Sequence, residues 1–282
     1  MKRKIIALIA MLSAMASTAC WLPACTKGEQ ADIPSQTEIG SVAENNQQNQ
    51  REEEEEQPTV KPTVSDVTPK AQKAEYLLVN GSGVNLRSGA GSSYSSLGVA
   101  EKGTLYISDG LSGSWYKTRY KDKTVYINKN YCTIVQMDKS ENERIEKVIA
   151  EGCKYMGVTY VYGATRYHDG NGNKLKGFTA SVFDCSSLMQ YIFKTGADIN
   201  LQVNTRTQIY QGETVKSGGL KRGDLMFFTN ASRKNNTGVE RVGHVALYLG
   251  DNYILHTASD YAKIEQITST RWSYYIQAQR IL

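Results

Sequence analysis

The chain has 282 residues, 33 Lys and Arg against 28 Asp and Glu, a net charge of +5, five cysteines and three histidines. No phosphate-binding loop, zinc-ligand spacing or nucleotide fingerprint occurs, which argues against the common metal- and nucleotide-dependent enzymes and implies chemistry without a cofactor or metal. The charge is uneven: residues 1–25 contribute +3, residues 26–74 hold five basic against ten acidic side chains, and residues 75–282 carry +7.

In chain order, Lys2, Arg3 and Lys4 precede an apolar run from Ile5 to Ala16, the n-region and h-region pattern of a secretory signal. The run yields to Ser17 and Thr18 before reaching the length of a membrane span. Leu22-Pro23-Ala24-Cys25 resembles the lipobox of bacterial lipoproteins, with Pro23 atypical. Cys20, after Ser17-Thr18-Ala19, competes with Cys25 as the lipidation site, and a plain signal cut near Ala19 is the third possibility. Residues 26–74 contain Glu52 to Glu56, four of the five prolines and almost no large apolar side chains. Such a segment cannot offset its ordering entropy by burial and reads as a disordered acidic tether. A basic folded part on an acidic stalk suits a polyanionic surrounding such as a bacterial wall. Export argues against nucleic acid. After processing at Cys25, Cys132, Cys153 and Cys185 remain, so one at least is unpaired; export without disulfides is expected, with a Cys132–Cys153 bridge as the alternative.

Residues 75–138 read as short strands at Tyr76 to Val79, Val84 to Arg87, Thr104 to Ser108, Trp115 to Tyr120 and Thr124 to Asn128, with Gly, Ser and Asn between them. That is the pattern of a small all-β barrel. Ser140-Glu141-Asn142-Glu143 reads as a capping box opening a helix whose apolar face is Ile145, Val148, Ile149, Cys153 and Met156, ended by Gly157. Cys185 begins a second helical pattern, with Leu188, Tyr191 and Ile192 on one face and Gly196 as the expected stop. A helix N-terminus favours thiolate over thiol and offers backbone donors to an oxyanion. Thiol reactivity separates the readings: an activated Cys185 is alkylated well below pH 8, an inert one is not.

Gly243 to Leu249 and Tyr253 to Thr257 read as a hairpin turning around Gly250-Asp251-Asn252. An odd loop centred on Gly250 would set position 244 directly across from position 256, with both imidazoles on one face. Cysteine nucleophiles need an imidazole base and a polar group to aim it. Cys185, His244 and His256 are the candidates, as nucleophile, base and orienter. A buried structural cysteine and lone structural histidines are the alternative reading of each taken singly.

Two family resemblances follow from these residues. Val84-Asn85-Leu86-Arg87-Ser88-Gly89-Ala90-Gly91, Trp115-Tyr116-Lys117 and Val125-Tyr126-Ile127 resemble bacterial SH3 domains, which implies wall recognition by the barrel. Tyr160-Val161-Tyr162-Gly163, Phe183-Asp184-Cys185-Ser186, Gly223 to Phe228, Gly243-His244-Val245 and Leu255-His256 resemble an NlpC-type cell-wall peptidase. The implied fold is α+β, a papain-like domain with helices on an antiparallel sheet at 139–282, after the barrel at 75–138. The implied activity is hydrolysis of peptidoglycan stem peptides, commonly between γ-D-glutamate and the diamino acid. By the same resemblance Tyr160 helps hold the substrate, and Asp184 and Ser186 bind the stem peptide, in some members through its free amine. An amidase freeing the stem from muramic acid and a catalytically silent wall-binding protein are the other readings. The enzyme would act outside the cytoplasm, lipid-anchored or secreted. Thr165 to Val182 lengthens the approach to Cys185; within it His168 to Asn173 resembles the start of a calcium loop, but Ala180 stands where such a loop needs glutamate. A Gly/Asn hairpin turn over the cleft is expected there instead.

Overall fold

The computed structural model describes residues 72–282 except Ser217. The signal, the lipobox-like cysteines Cys20 and Cys25, and nearly all of the tether lie outside the described residues. Eight strands come first: β1 (Lys73–Val79), β2 (Val84–Arg87), β3 (Ser96–Ala100), β4 (Leu105–Ile107), β5 (Leu111–Ser112), β6 (Trp115–Tyr120), β7 (Lys123–Asn128) and β8 (Cys132–Asp138). Next come α1 (Glu143–Lys154), β9 (Thr159–Tyr160), β10 (Val182–Phe183), α2 (Cys185–Ala197), α3 (Thr205–Gln208) and β11 (Glu213–Thr214). The chain ends with β12 (Leu225–Phe228), β13 (His244–Gly250), β14 (Tyr253–Ala258), β15 (Tyr261–Gln266), α4 (Ser269–Ser273) and β16 (Tyr275–Arg280).

The expected α+β architecture is present. β16, β12, β13, β14 and β15 form an antiparallel sheet in that order, and α1 and α2 pack together beside it. Fully buried Phe227, Val245, Leu247 and Leu255 meet Ile149, Leu188 and Ile192 in one core. Gly196 lies inside α2 rather than stopping it, and Asp198 in left-handed conformation is the cap. A Cβ at Gly196 would sit 2.7 Å from the Cα of Val148, so this glycine lets the two helices approach closely.

Two local expectations are corrected. Helix α1 is capped by Asn142, which accepts from the Arg144 N–H at 3.0 Å, not by Ser140. The Ser140 N–H instead meets Glu146, whose carboxylate also holds Arg222 at 2.6 Å and 2.9 Å. The barrel strands also divide between two sheets. β3, β2, β7, β6 and β5 form their own sheet, while β4, β1 and β8 continue the large one, because Leu105 pairs with Ile264 of β15. The boundary read at 138/139 falls just after β8, and one sheet spans both sides of it. The two parts are further tied by the Lys121 and Asp122 N–H groups, which donate to Met156 and Lys154 carbonyls at 2.8 Å and 2.7 Å. Buried Arg222 completes the junction, donating to the Tyr76 hydroxyl at 2.8 Å and the Leu249 carbonyl at 2.7 Å.

Candidate active site

Asp184 makes the helix start on which the site depends. Its Oδ1 accepts from the Ser187 N–H at 2.8 Å, and the Ser187 hydroxyl accepts from the Asp184 N–H at 2.9 Å, a reciprocal capping box. Cys185 is thereby fixed in the first turn of α2, only 7% exposed, with its sulfur against the backbone amides of Ser186 and of Val245, the residue after His244.

The two histidines share a face, but by a different route from the one expected. The turn has two residues, Asp251 and Asn252, both in left-handed conformation. With a regular ladder that even loop would send residues 244 and 256 to opposite faces. The register shifts between Tyr248 and Gly250, and one extra residue restores the parity. Leu247 consequently pairs with Leu255, so His244 lies diagonal to His256 rather than across from it. Their rings meet at 79° with His244 Nε2 3.0 Å from His256 Nδ1.

A fourth group was not foreseen from the sequence. Glu265 of β15 pairs with Ile254 and reaches diagonally to His256, its Oε1 3.0 Å from Nε2. Arg271 from α4 donates to the same oxygen at 2.9 Å, and Lys263 lies 3.6 Å from the other. The signal available was the alternation of β15, where Ala262 and Ile264 are buried while Tyr261, Lys263 and Glu265 take the opposite face.

This chain of contacts fixes the tautomers. An ionised carboxylate only accepts, so His256 donates from Nε2 and accepts at Nδ1. His244 then donates from Nε2, and its Nδ1 carries the lone pair. Burial, and then the neighbouring His256 and Arg271, hold His244 well below the usual imidazole range. Burial also lowers His256, against the opposing pull of Glu265. Burial would raise Glu265, but the His256 hydrogen bond and the charges of Lys263 and Arg271 outweigh it and bring the carboxyl to about 2. Both imidazoles are thus neutral beside an anionic glutamate.

The thiol departs from expectation. Burial pushes Cys185 up to about 12 and the Asp184 carboxylate adds to it, while the Val245 and Ser186 amides and Arg166 pull the other way. Desolvation of the nearly buried sulfur outweighs the helix-terminus effect and favours the thiol over the thiolate.

Two cavities flank the pair. One, of about 390 Å³, is lined by His244, Phe228, Thr229, Ala258 and Arg271, among others; the second, of about 210 Å³, holds Cys185, Asp184, Ser186, Arg166, Arg206 and Arg233. Tyr160 and Gly243 line both, so Tyr160 stands where the two meet. Burial pushes its hydroxyl up to about 12. Asp184 and Ser186 lie beside Cys185 as expected, yet their polar atoms are already occupied. The second Asp184 oxygen takes the Gly163 N–H at 3.2 Å and pairs with Arg166 at 2.8 Å; the Ser186 hydroxyl donates to Asp184 at 3.0 Å and accepts from Arg166 at 3.2 Å.

Arg166 comes from the lengthened approach, whose turn bridges His168 with Lys174. The turn does not cover the cleft. Buried His168 receives the Gly170 N–H, and a Cβ at Gly170 or Gly172 would meet Gln202 or Asn200, so it lies against the segment after α2.

A cysteine at the head of a helix, its sulfur against the backbone of the strand that carries one of two hydrogen-bonded imidazoles on an antiparallel sheet, is the arrangement of a papain-like domain. Residues 157–280 match the NlpC/P60 family and residues 82–133 the bacterial SH3 domain. The chain carries an NlpC/P60 domain preceded by a bacterial SH3 domain. It is similar to the gamma-DL-glutamyl hydrolase of Bacillus subtilis, 29% identical across 60% of this chain and 38% of that one. It is likewise 29% identical to the peptidoglycan endopeptidase RipA of Mycolicibacterium smegmatis, over 48% of this chain and 25% of the other. A third relative, the gamma-D-glutamyl-L-lysine dipeptidyl-peptidase of Bacillus subtilis, is 29% identical over 46% of this chain and 37% of its own. The chain spans a quarter to two-fifths of the length of these relatives.

Proposed function

We propose that this protein is a cysteine hydrolase of peptidoglycan stem peptides, cutting the bond between γ-D-glutamate and the diamino acid. The observation that carries this reading is the hydrogen-bonded chain His244–His256–Glu265, with His244 lining one of two adjoining cavities and Cys185, the first residue of α2, lining the other. The names of the three relatives supply the substrate class.

As Cys185 Sγ attacks the scissile carbonyl carbon, its proton passes to His244 Nδ1, the ring nitrogen left free by the tautomer chain. The new S–C bond leaves an oxyanion for the backbone amides at the start of α2. Collapse breaks the C–N bond, and His244 returns the proton to the leaving amine. Water, deprotonated by the same nitrogen, then cleaves the thioester, and the sulfur recovers its proton. His256 holds the base in register, and Tyr160 positions the peptide where the cavities join.

The bacterial SH3 domain is read as the wall-binding part. Its cavity of about 330 Å³ is lined by Asn85, Arg87, Trp115, Asn128, Asn130 and Tyr131, suited to a polar polymer with faces that stack on aromatics. The N-terminal segment is read as a lipoprotein signal with Cys25, or Cys20, as the lipidated residue, which puts the enzyme outside the cytoplasm.

The test is incubation of the full chain, and of its Cys185→Ala variant, with defined muropeptides, with products read by mass spectrometry. Cleavage after γ-D-glutamate that disappears in the variant supports the reading. Release of the whole stem from muramic acid would make it an amidase, and retention on sacculi without cleavage would make it a binding protein.

A further inference from the structure

The cavity beside Cys185 has an electrostatic bias of its own. Its charged lining residues are Arg166, Arg206, Arg233 and Asp184. The Asp184 carboxylate is saturated by the Ser187 and Gly163 amides, the Ser186 hydroxyl and Arg166, and the side chain is 5% exposed. It has no oxygen left for an incoming ammonium group. Arg166 is equally committed, donating also to the Val203 and Ala164 carbonyls.

Arg206 is different. Its guanidinium is about one-third exposed and, among the described residues, makes no side-chain hydrogen bond, only a loose pair with Glu240 at 3.5 Å. Arg233 stands beside it, donating to the Glu240 carbonyl at 3.0 Å and carboxylate at 3.1 Å. Donors are therefore open in this cavity, and the one lining carboxylate is closed.

The chemistry says which half of a substrate meets these donors. His244 must deliver its proton to the leaving nitrogen, so the amine half lies on the His244 side, in the larger cavity. The acyl half then occupies the cavity of Arg206. A glutamate linked through its γ-carbonyl keeps a free α-carboxylate on that half.

We propose that the Arg206–Arg233 corner of this cavity is a carboxylate subsite, which receives the α-carboxylate of the γ-linked glutamate and discriminates against its amide, isoglutamine. The assignment rests on the γ-glutamyl hydrolase reading above. A guanidinium fork matches a carboxylate with two parallel N–H donors, whereas a primary amide offers one neutral acceptor and brings its own N–H groups against a cation.

The experiment compares two muropeptides that differ only in isoglutamate or isoglutamine, with the full chain and its Arg206→Gln variant, folding being verified by thermal melting. We expect wild-type kcat/KM about tenfold or more higher for the isoglutamate peptide, and a ratio drawn toward one in Arg206→Gln because the isoglutamate rate falls. Equal wild-type rates, or an unchanged ratio in the variant, would overturn the subsite and leave the hydrolase reading standing. Cleavage of neither peptide would remove the hydrolase reading instead. Calorimetric titration of Cys185→Ala with the same two peptides then decides the subsite: tighter binding of the isoglutamate form supports it, and equal or absent binding overturns it.

Discussion

Glu265 is the group whose removal tests the tautomer chain most directly. In Glu265→Ala the buried His256 Nε2–H loses an ionised acceptor at 3.0 Å. A hydrogen bond to a charged partner contributes about 1.5–3 kcal/mol. Without it, His256 gains by moving its proton to Nδ1, which faces His244 Nε2. His244 must then carry its own proton on Nδ1 and cannot accept one from the thiol. The bias lost corresponds to about a tenfold to hundredfold fall in kcat, with KM nearly constant because Glu265 lines neither cavity at the pair. Glu265→Gln keeps an acceptor oxygen and should recover part of the loss. The negative charge also supports protonation of both imidazoles, so its removal should move the acid limb of the kcat profile to lower pH. The assay is steady-state hydrolysis of a defined muropeptide between about pH 4 and 9, with melting temperatures alongside. An alanine variant within twofold of wild-type kcat and with an unmoved acid limb would refute the reasoning, as would a rate loss wholly accounted for by unfolding.

Three further expectations can be checked without substrate. Because burial pushes the Cys185 thiol to about 12, its alkylation by iodoacetamide should be slow near neutrality and still rising above about pH 9; a plateau below pH 8, read by mass mapping of the Cys185 peptide, would contradict this. The lowered His168, His244 and His256 bind protons more readily in the unfolded chain, so stability should be full above the ordinary histidine range and fall as pH drops below about 6.5. Urea midpoints that stay level between pH 7.5 and 5 would count against it. Gly157→Ala should destabilise by about 2–4 kcal/mol, since that residue has φ +79° and its new Cβ would lie 1.9 Å from the Tyr120 ring; an unchanged urea midpoint would show that the junction yields.

What could be read from the sequence was local chemistry and periodicity. Cys185 at a helix start and a hairpin carrying both histidines follow from turn residues and alternation. The parity of His244 and His256 came out as expected only because a bulge compensates for a two-residue turn, and a bulge leaves no residue signature in Tyr248-Leu249-Gly250. Glu265 was hidden for another reason: it meets His256 diagonally from a neighbouring strand, a relation set by a register that short motifs do not encode. Asp184 and Ser186 sit beside Cys185, but only the three-dimensional arrangement reveals that Arg166, 18 and 20 residues earlier, already fills their hydrogen-bonding capacity. The Ser140 cap was misread because Asn142 offers an equally good oxygen, and Glu146 is drawn to Arg222, 76 residues away.

The pairing of Leu105 with Ile264 separates ancestry from cooperativity. Two recognised families adjoin in this chain, yet the seam between them is a hydrogen-bonded strand edge, one residue from Glu265. A catalytic fragment trimmed at residue 139 would bare that edge of β15, together with the carbonyls that Lys121 and Asp122 cover, and unpaired edges recruit foreign strands. Exchanging the SH3 module for another would therefore replace part of the scaffold behind the His244–His256–Glu265 chain. Such a chimera inherits the reaction only if its new module presents a strand of matching register.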